Sequence, residues 1–262
     1  MKKRKFLPLF HIIFLSCSLT ISGKTLSEAR ADGPDFRDHL AGVGNNDPRQ
    51  RVDVRQMPWA AIGRVQTEQG SRCTGFLISP TVVETAAHCL WNSATHRFVP
   101  ASIVHFLLAY SAGQYAAHAR VKEYIIPPGY TPLQEEQKAG LDKATLLLDH
   151  PIARPETIFH VDATQNDIKA GNPVVLGGYE QNKPDVITAD VNCQITGISR
   201  DLSGHPLLAH NCAGTHGSSG APLLTNTRDG WQVLGIQTLA HGNEAGGFAV
   251  SLLKAPDISS QP

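Results

Sequence analysis

Apolar residues in this chain fall in short runs broken by turn residues. Residues 59–65, 75–79, 103–109, 144–148, 173–178, 186–195, 221–224, 233–239 and 247–252 each have the length of a strand. Clusters of Gly, Pro, Asn and Asp separate them. No long stretch carries a strong 3.6-residue repeat. Many short strands with frequent turns predict an all-β sandwich or barrel. There is no internal repeat and no low-complexity block. Around residues 149–167 the chain becomes polar and contains proline, which marks a candidate link between an N-terminal and a C-terminal half.

The two ends depart from this pattern. Lys2, Lys3, Arg4 and Lys5 precede an apolar stretch at 6–21 that Pro8 and His11 interrupt. This reads as a signal peptide over 1–31, too short and broken for a membrane span. Ala29-Arg30-Ala31 fits a small-x-small cleavage pattern, with a cut nearer Gly23, an uncleaved anchor and a lipid-modified Cys17 as alternatives. Residues 32–51 are polar and are expected to be a propeptide or a loose N-terminal arm. Residues 256–262 are expected to be a C-terminal tail.

Composition narrows the possibilities. With 262 residues the chain is long enough for one large domain or two small ones, and 41% hydrophobic residues suffice for a core. Its 23 basic and 23 acidic side chains balance. That gives no electrostatic footprint for nucleic acid or an anionic membrane. The 12 histidines are scattered, without the close His/Cys spacing of a structural zinc site. No metal and no cofactor is expected. Removal of the signal takes Cys17 and leaves Cys73, Cys89, Cys193 and Cys212, an even set that suits two disulfides in an exported chain. Three pairings are formally possible. Cys73–Cys89 and Cys193–Cys212 are favoured because each pair falls within one short segment.

Three segments carry candidate chemistry. The first runs from Cys73-Thr74-Gly75 to Thr85-Ala86-Ala87-His88-Cys89. A Cys73–Cys89 loop would constrain the unfolded chain by about 3 kcal/mol and pin the turn bearing His88, as a general base requires. The second is Leu141-Asp142-Lys143-Ala144. An Asp ahead of an apolar strand is suited to orient a histidine and stabilise its imidazolium, although a turn Asp at a strand start reads equally well alone. The third is His216-Gly217-Ser218-Ser219-Gly220-Ala221-Pro222. A serine on a tight glycine turn leaves room for a carbonyl, with the N–H groups of Gly217 and Ser219 as donors to an oxyanion. By itself such a string is more often just a loop.

Together these segments resemble the chymotrypsin-like serine peptidases, and within them the bacterial glutamyl-endopeptidase (V8-like) branch. Thr85-Ala86-Ala87-His88-Cys89 matches the histidine motif. Asp142-Lys143-Ala144-Thr145-Leu146 is similar to the aspartate motif, and Gly217-Ser218-Ser219-Gly220-Ala221-Pro222 to the nucleophile motif. Pro58-Trp59-Ala60-Ala61-Ile62-Gly63 resembles the branch's opening strand, and Gly44-Asn45-Asn46-Asp47-Pro48-Arg49 a segment often found before it. The resemblance runs over residues 42–252. It implies two antiparallel six-stranded β-barrels, expected at 52–155 and 156–255, with the catalytic site between them. It also implies a triad of His88, Asp142 and Ser219 acting through an acyl-enzyme. The expected protein is a secreted or periplasmic monomer acting on protein or peptide substrates, with no membrane association after signal removal. The alternative is an inactive relative that serves as a binding module. An α/β-hydrolase is disfavoured, since Gly-x-Ser-x-Gly is absent around Ser219 and the nucleophile comes last.

The sequence also departs from the family. Lys143 stands where an apolar residue is usual. Ser218 replaces the Asp that receives a new N-terminal ammonium in animal zymogens. Gln237 replaces a histidine that helps bind a substrate glutamate in V8-like enzymes, and Ala213 occupies the position of a pocket-base Asp. The substrate pocket is expected near Ala213, Gly214, Thr215, Gln237, Thr238 and Leu239. With no charge at the matched positions, it should prefer an uncharged residue before the cut, hydrogen-bonded to Gln237 or packed on Leu239. His216 and His241 are the side chains that would change this preference.

Overall fold

The computed structural model describes residues 40–164 and 168–253. The signal-like start, residues 32–39 and the C-terminal tail lie outside those residues. Fifteen strands are described, joined by turns and one-turn helices. They are β1 (Gln50–Arg51), β2 (Ile62–Thr67), β3 (Arg72–Ser79), β4 (Val82–Thr85), β5 (Trp91–Asn92), β6 (Arg97–Phe98), β7 (Val104–Leu108) and β8 (Ala117–Ile125). The remainder are β9 (Ala144–Leu148), β10 (Pro173–Glu180), β11 (Lys183–Arg200), β12 (Pro206–His210), β13 (Pro222–Thr227), β14 (Gly230–Ala240) and β15 (Gly247–Ser251).

Six of them close a barrel in the order β2-β3-β4-β9-β8-β7, every neighbour antiparallel. Alternation sets its inside and outside. In β9, Ala144, Leu146 and Leu148 are buried while Thr145 and Leu147 are only half-buried. In β8, Ala119 and Val121 point in and Arg120 and Lys122 point out. Phe76 and Phe106 are fully buried, each contributing about 1.5–3 kcal/mol by leaving water. The second sheet runs β1-β11-β10-β13-β14-β15-β12, and a further β11–β12 pairing closes it on itself with β1 left as an added edge. Six strands thus form a second ring, with Val174, Leu176, Ile195, Leu208, Leu223, Leu234 and Ala249 inside. The fold is the all-β, two-barrel architecture expected from the sequence.

Each of the nine apolar runs contains or overlaps a strand. Residues 59–61 form a 3-10 turn instead, and β2 starts at Ile62. The turn buries Trp59 against Gly177 of β10, where an added Cβ would come within 2.5 Å of the indole. Strands β1, β4, β5, β6, β8 and β12 fall outside those runs. They are short or polar on one face, as in Val82-Val83-Glu84-Thr85, and partner strands rather than local apolarity hold them in place. Residues 40–51 are built into the second ring. Strand β1 pairs with β11 through Gln50 and Ala189, and Gly42 receives hydrogen bonds from Gly214 and Gly246.

Candidate active site

The turn bearing His88 is pinned on both sides. The 3-10 turn Ala87–Leu90 follows β4 directly, and the Cys73–Cys89 disulfide ties it to β3. Asp142 follows the 3-10 turn Ala139–Leu141, and the second ring holds that turn. Gly140 donates to Asp201 Oδ2 at 3.0 Å, and no Cβ would fit there against His205. Asp142 is 3% exposed. Its Oδ2 lies 2.6 Å from His88 Nδ1 and its Oδ1 accepts the His88 backbone N–H at 2.9 Å. One carboxylate therefore fixes both the position and the tautomer of the ring. Desolvation alone would lower the His88 pKa. The charge and hydrogen bond of Asp142, with Glu135 adding to them, outweigh it and raise the pKa above the ordinary value. Tyr130 faces the same carboxylate; burial first, then Asp142, holds its hydroxyl protonated.

Ser219 lies on the turn that enters β13. Two glycines make the turn possible, with φ of +94° at Gly217 and +83° at Gly220, a region that costs other residues about 1–2 kcal/mol. An added Cβ would meet Tyr179 O at 2.2 Å from Gly217 and Thr74 O at 2.1 Å from Gly220. Among the described residues the N–H groups of Gly217 and Ser219 make no intramolecular hydrogen bond, whereas those of Ser218, Gly220 and Ala221 all do. Ser218 is buried, its hydroxyl donating to Thr215 O at 2.6 Å. Ser219 Oγ makes no hydrogen bond to His88 in this structure, a bond that in such sites tightens once substrate is bound.

Thr74 of β3 joins the two rings at this point. Its N–H donates to Ser219 O at 2.9 Å, and its hydroxyl donates to Gly217 O at 2.8 Å and accepts from Tyr179 N at 2.9 Å. Its carbonyl accepts the Thr85 hydroxyl at 2.7 Å. The structure thus gathers His88, Asp142, Gly217 and Ser219 at the junction of the rings.

The expected pocket residues lie beside this turn. Ala213, Gly214, Thr215, Gln237 and Thr238 are buried and Leu239 is half-buried. The amide of Gln237 is partly committed, which the sequence did not reveal. Its Oε1 lies 2.7 Å from His210 Nε2 and its Nε2 donates to Leu239 O at 3.0 Å. His210 is itself buried, and its Nδ1 accepts the Cys212 N–H. Burial lowers its pKa to about 4, with nearby His241 adding to the shift, so the ring is neutral. Thr215 Oγ1 is buried without a partner among the described residues. His216 is exposed, and His241 packs edge-on against Phe248.

Further polar residues outside the sequence motifs complete the surroundings. Glu180 and Asp190 are buried and accept the backbone N–H groups of Thr215 and Ala213, at 3.1 Å and 2.9 Å. On the other side of Gly217, Arg72, Gln181, Pro184 and His216 help line a pocket of about 260 Å³. Lys143 sits across a separate pocket from the buried Glu84. Burial pushes the Glu84 pKa up to about 7, and the Lys143 charge draws it down. The second disulfide joins Cys193 and Cys212. The grouping of potential metal ligands found among the described residues is Cys73, His88 and Cys89, and the disulfide takes both of its sulfurs. No helix among the described residues is long and apolar enough to cross a membrane.

These features have counterparts among known proteins. The trypsin family model matches residues 48–254, and the chain belongs to that family. Within it, the similarities lie on the glutamyl-endopeptidase branch. The chain is 25% identical over 141 residues to the glutamyl endopeptidase of Bacillus licheniformis, covering 54% of this chain and 42% of that protein. The match thus spans less than half the length of that relative. The solved structure of a Glu endopeptidase in complex with MPD shares the fold, with a TM-score of 0.65 at 22% identity over 80% of this chain and 94% of that one.

Proposed function

We propose that this chain is an exported serine endopeptidase that works through an acyl-enzyme, with Ser219 as nucleophile, His88 as base and Asp142 as orienter. The observation that carries the reading is the pair of hydrogen bonds from His88 to Asp142, through Nδ1 at 2.6 Å and the backbone N–H at 2.9 Å. With Nδ1 so occupied, Nε2 is the nitrogen free to take the Ser219 proton as Oγ attacks the scissile carbonyl carbon. The unpaired N–H groups of Gly217 and Ser219 receive the oxyanion. Collapse of the tetrahedral species breaks the C–N bond, and His88 returns the proton to the leaving amine. Water repeats the sequence in reverse and releases the acid. The charged N-terminus and the two disulfides support export, and family membership supports protein or peptide substrates.

The pocket reading follows from hydrogen-bond supply. A charged side chain would find no opposite charge among the expected pocket residues, at a cost of several kcal/mol. Gln237 Oε1 and one N–H of its Nε2 are engaged by His210 and Leu239, which leaves the second N–H of that amide as the neutral donor it can offer, and Thr215 Oγ1 is buried. An uncharged residue before the cut fits best. The name of the relative records glutamyl cleavage, but the His210–Gln237 pair holds no positive charge at neutral pH.

A biotinylated fluorophosphonate tests the chemistry. Covalent label is expected on Ser219, located by peptide mass spectrometry, and absent from Ser219→Ala. An unlabelled folded protein would favour the binding-module alternative. Digestion of a proteome-derived peptide library tests the pocket. Strong enrichment of Glu before the cut would assign the pocket to His216 or His241 instead.

A further inference from the structure

Arg49 lies in the segment that the sequence alone marks as an arm or propeptide, yet its side chain is fully buried. One guanidinium edge holds Asp47, through Nε at 2.8 Å and Nη2 at 2.9 Å. Nη1 reaches Oε2 of the buried Glu180 at the end of β10. Thr188 donates to the same oxygen at 2.6 Å. The other oxygen, Oε1, accepts the Thr215 backbone N–H at 3.1 Å. The next residue, Gln181, donates its N–H to His216 O at 2.7 Å. Glu180 and Gln181 thus grip the first half of the turn whose second half carries Gly217 and Ser219.

A buried carboxylate in this place is costly unless a cation meets it. Burial raises the Glu180 pKa and the Arg49 charge opposes the rise. The turn supplies no ionic anchor of its own, because Ser218, the residue before the nucleophile, is neutral and bonded to Thr215 O.

We propose that Arg49 is a positioning residue, which through Glu180 holds the 215–219 turn so that the N–H groups of Gly217 and Ser219 converge on one oxyanion. The anchor comes from an internal side chain, so the turn is set without a newly cut N-terminus. The segment 47–51 therefore belongs to the working enzyme and is retained in it. This inference rests on the proposed role of Ser219.

The test uses the purified protein with Arg49→Met, Arg49→Lys and Glu180→Gln, each titrated with the fluorophosphonate to count active sites. Measured per titrated site, kcat on a library-derived peptide should fall about tenfold or more in Arg49→Met, and less in Arg49→Lys. The inhibition constant of phenylboronic acid, which binds as a tetrahedral adduct, should rise in parallel, with KM changed by less than about threefold. A lower melting temperature with unchanged kcat and boronate affinity would make Arg49 purely structural and overturn the proposal. If Arg49→Met does not fold, unchanged kcat in both Arg49→Lys and Glu180→Gln overturns it equally. N-terminal sequencing of labelled protein should place the mature start before Asp47, and a start beyond Arg49 would refute retention. Failure of the wild-type protein to label would instead defeat the parent reading.

Discussion

Acid is expected to destabilise this protein measurably through His210. The ring is 1% exposed, with Nε2 facing Gln237 Oε1 and Nδ1 accepting the Cys212 N–H. Protonation would set a new N–H at Nδ1 against the N–H of Cys212, two donors face to face. The folded-state pKa lies at about 4 against an ordinary 6.5, chiefly because burial disfavours the charged ring. The unfolded chain therefore binds this proton first as the pH falls. The stabilisation is complete above about pH 6.5 and is lost on going down toward pH 4. The shift is worth about 3 kcal/mol at 1.36 kcal/mol per pH unit. His210→Asn makes the comparison clean, since its Oδ1 can accept the Cys212 N–H and the side chain does not titrate. Both proteins should carry Ser219→Ala to prevent self-digestion, and urea unfolding should be followed from pH 7.5 to pH 4. Wild-type His210 should be the more stable at pH 7.5, and its advantage should shrink by about 3 kcal/mol by pH 4. A constant difference across that range would refute the reasoning.

Three further outcomes are expected. Ser219→Ala should lower kcat by about 10⁴ to 10⁶, whereas Ser218→Ala loses one buried hydrogen bond, worth about 1 kcal/mol, and retains most activity. Active-site titration and peptide kinetics distinguish the two. Because Asp142 raises the His88 pKa and the base must be neutral, the acid limb of kcat/KM should lie above pH 6.5. In Asp142→Asn the limb should move down and the rate fall by about 10⁴. Gly217→Ala must displace the turn, since its Cβ would lie 2.2 Å from Tyr179 O at a φ of +94°. Loss of one oxyanion donor should cost about 10² to 10³ in kcat, read on protein whose fold is verified by circular dichroism.

The sequence revealed what local pattern encodes. Runs such as 144–148 and 233–239 alternate or persist over the length of a strand, so the all-β class was legible. Cysteine spacing pointed to both disulfides, and the strings around His88 and Ser219 marked the candidate site. What stayed hidden depends on distant partners. Strand β8, Ala117–Ile125, is too polar to stand out and forms because β7 and β9 flank it. Glu180 reads as a polar residue at the end of an apolar run, and only the fold brings it to Thr215 and Arg49. Gln237 looked wholly available to substrate because nothing local showed that His210, 27 residues earlier, already holds its Oε1. The arm expected at 32–51 looked loose because the strand that pairs with its described part, β11, lies more than a hundred residues away.

Thr74 has a mechanical consequence. Its N–H and hydroxyl fasten the first barrel to the second at Gly217, Ser219 and Tyr179, and its carbonyl faces back to Thr85 in its own barrel. It does not act alone, for the Ala112 N–H donates to Asp185 O at 2.7 Å, Tyr179 Oη donates to Tyr110 O at 2.9 Å and the Gly140 N–H donates to Asp201 Oδ2 at 3.0 Å. Fasteners spread along a seam leave neither body a free axis to turn about. Thr74 is therefore the member of that seam that lies beside the nucleophile, so strain anywhere along the joint is shared before it reaches the gap that the proton must cross.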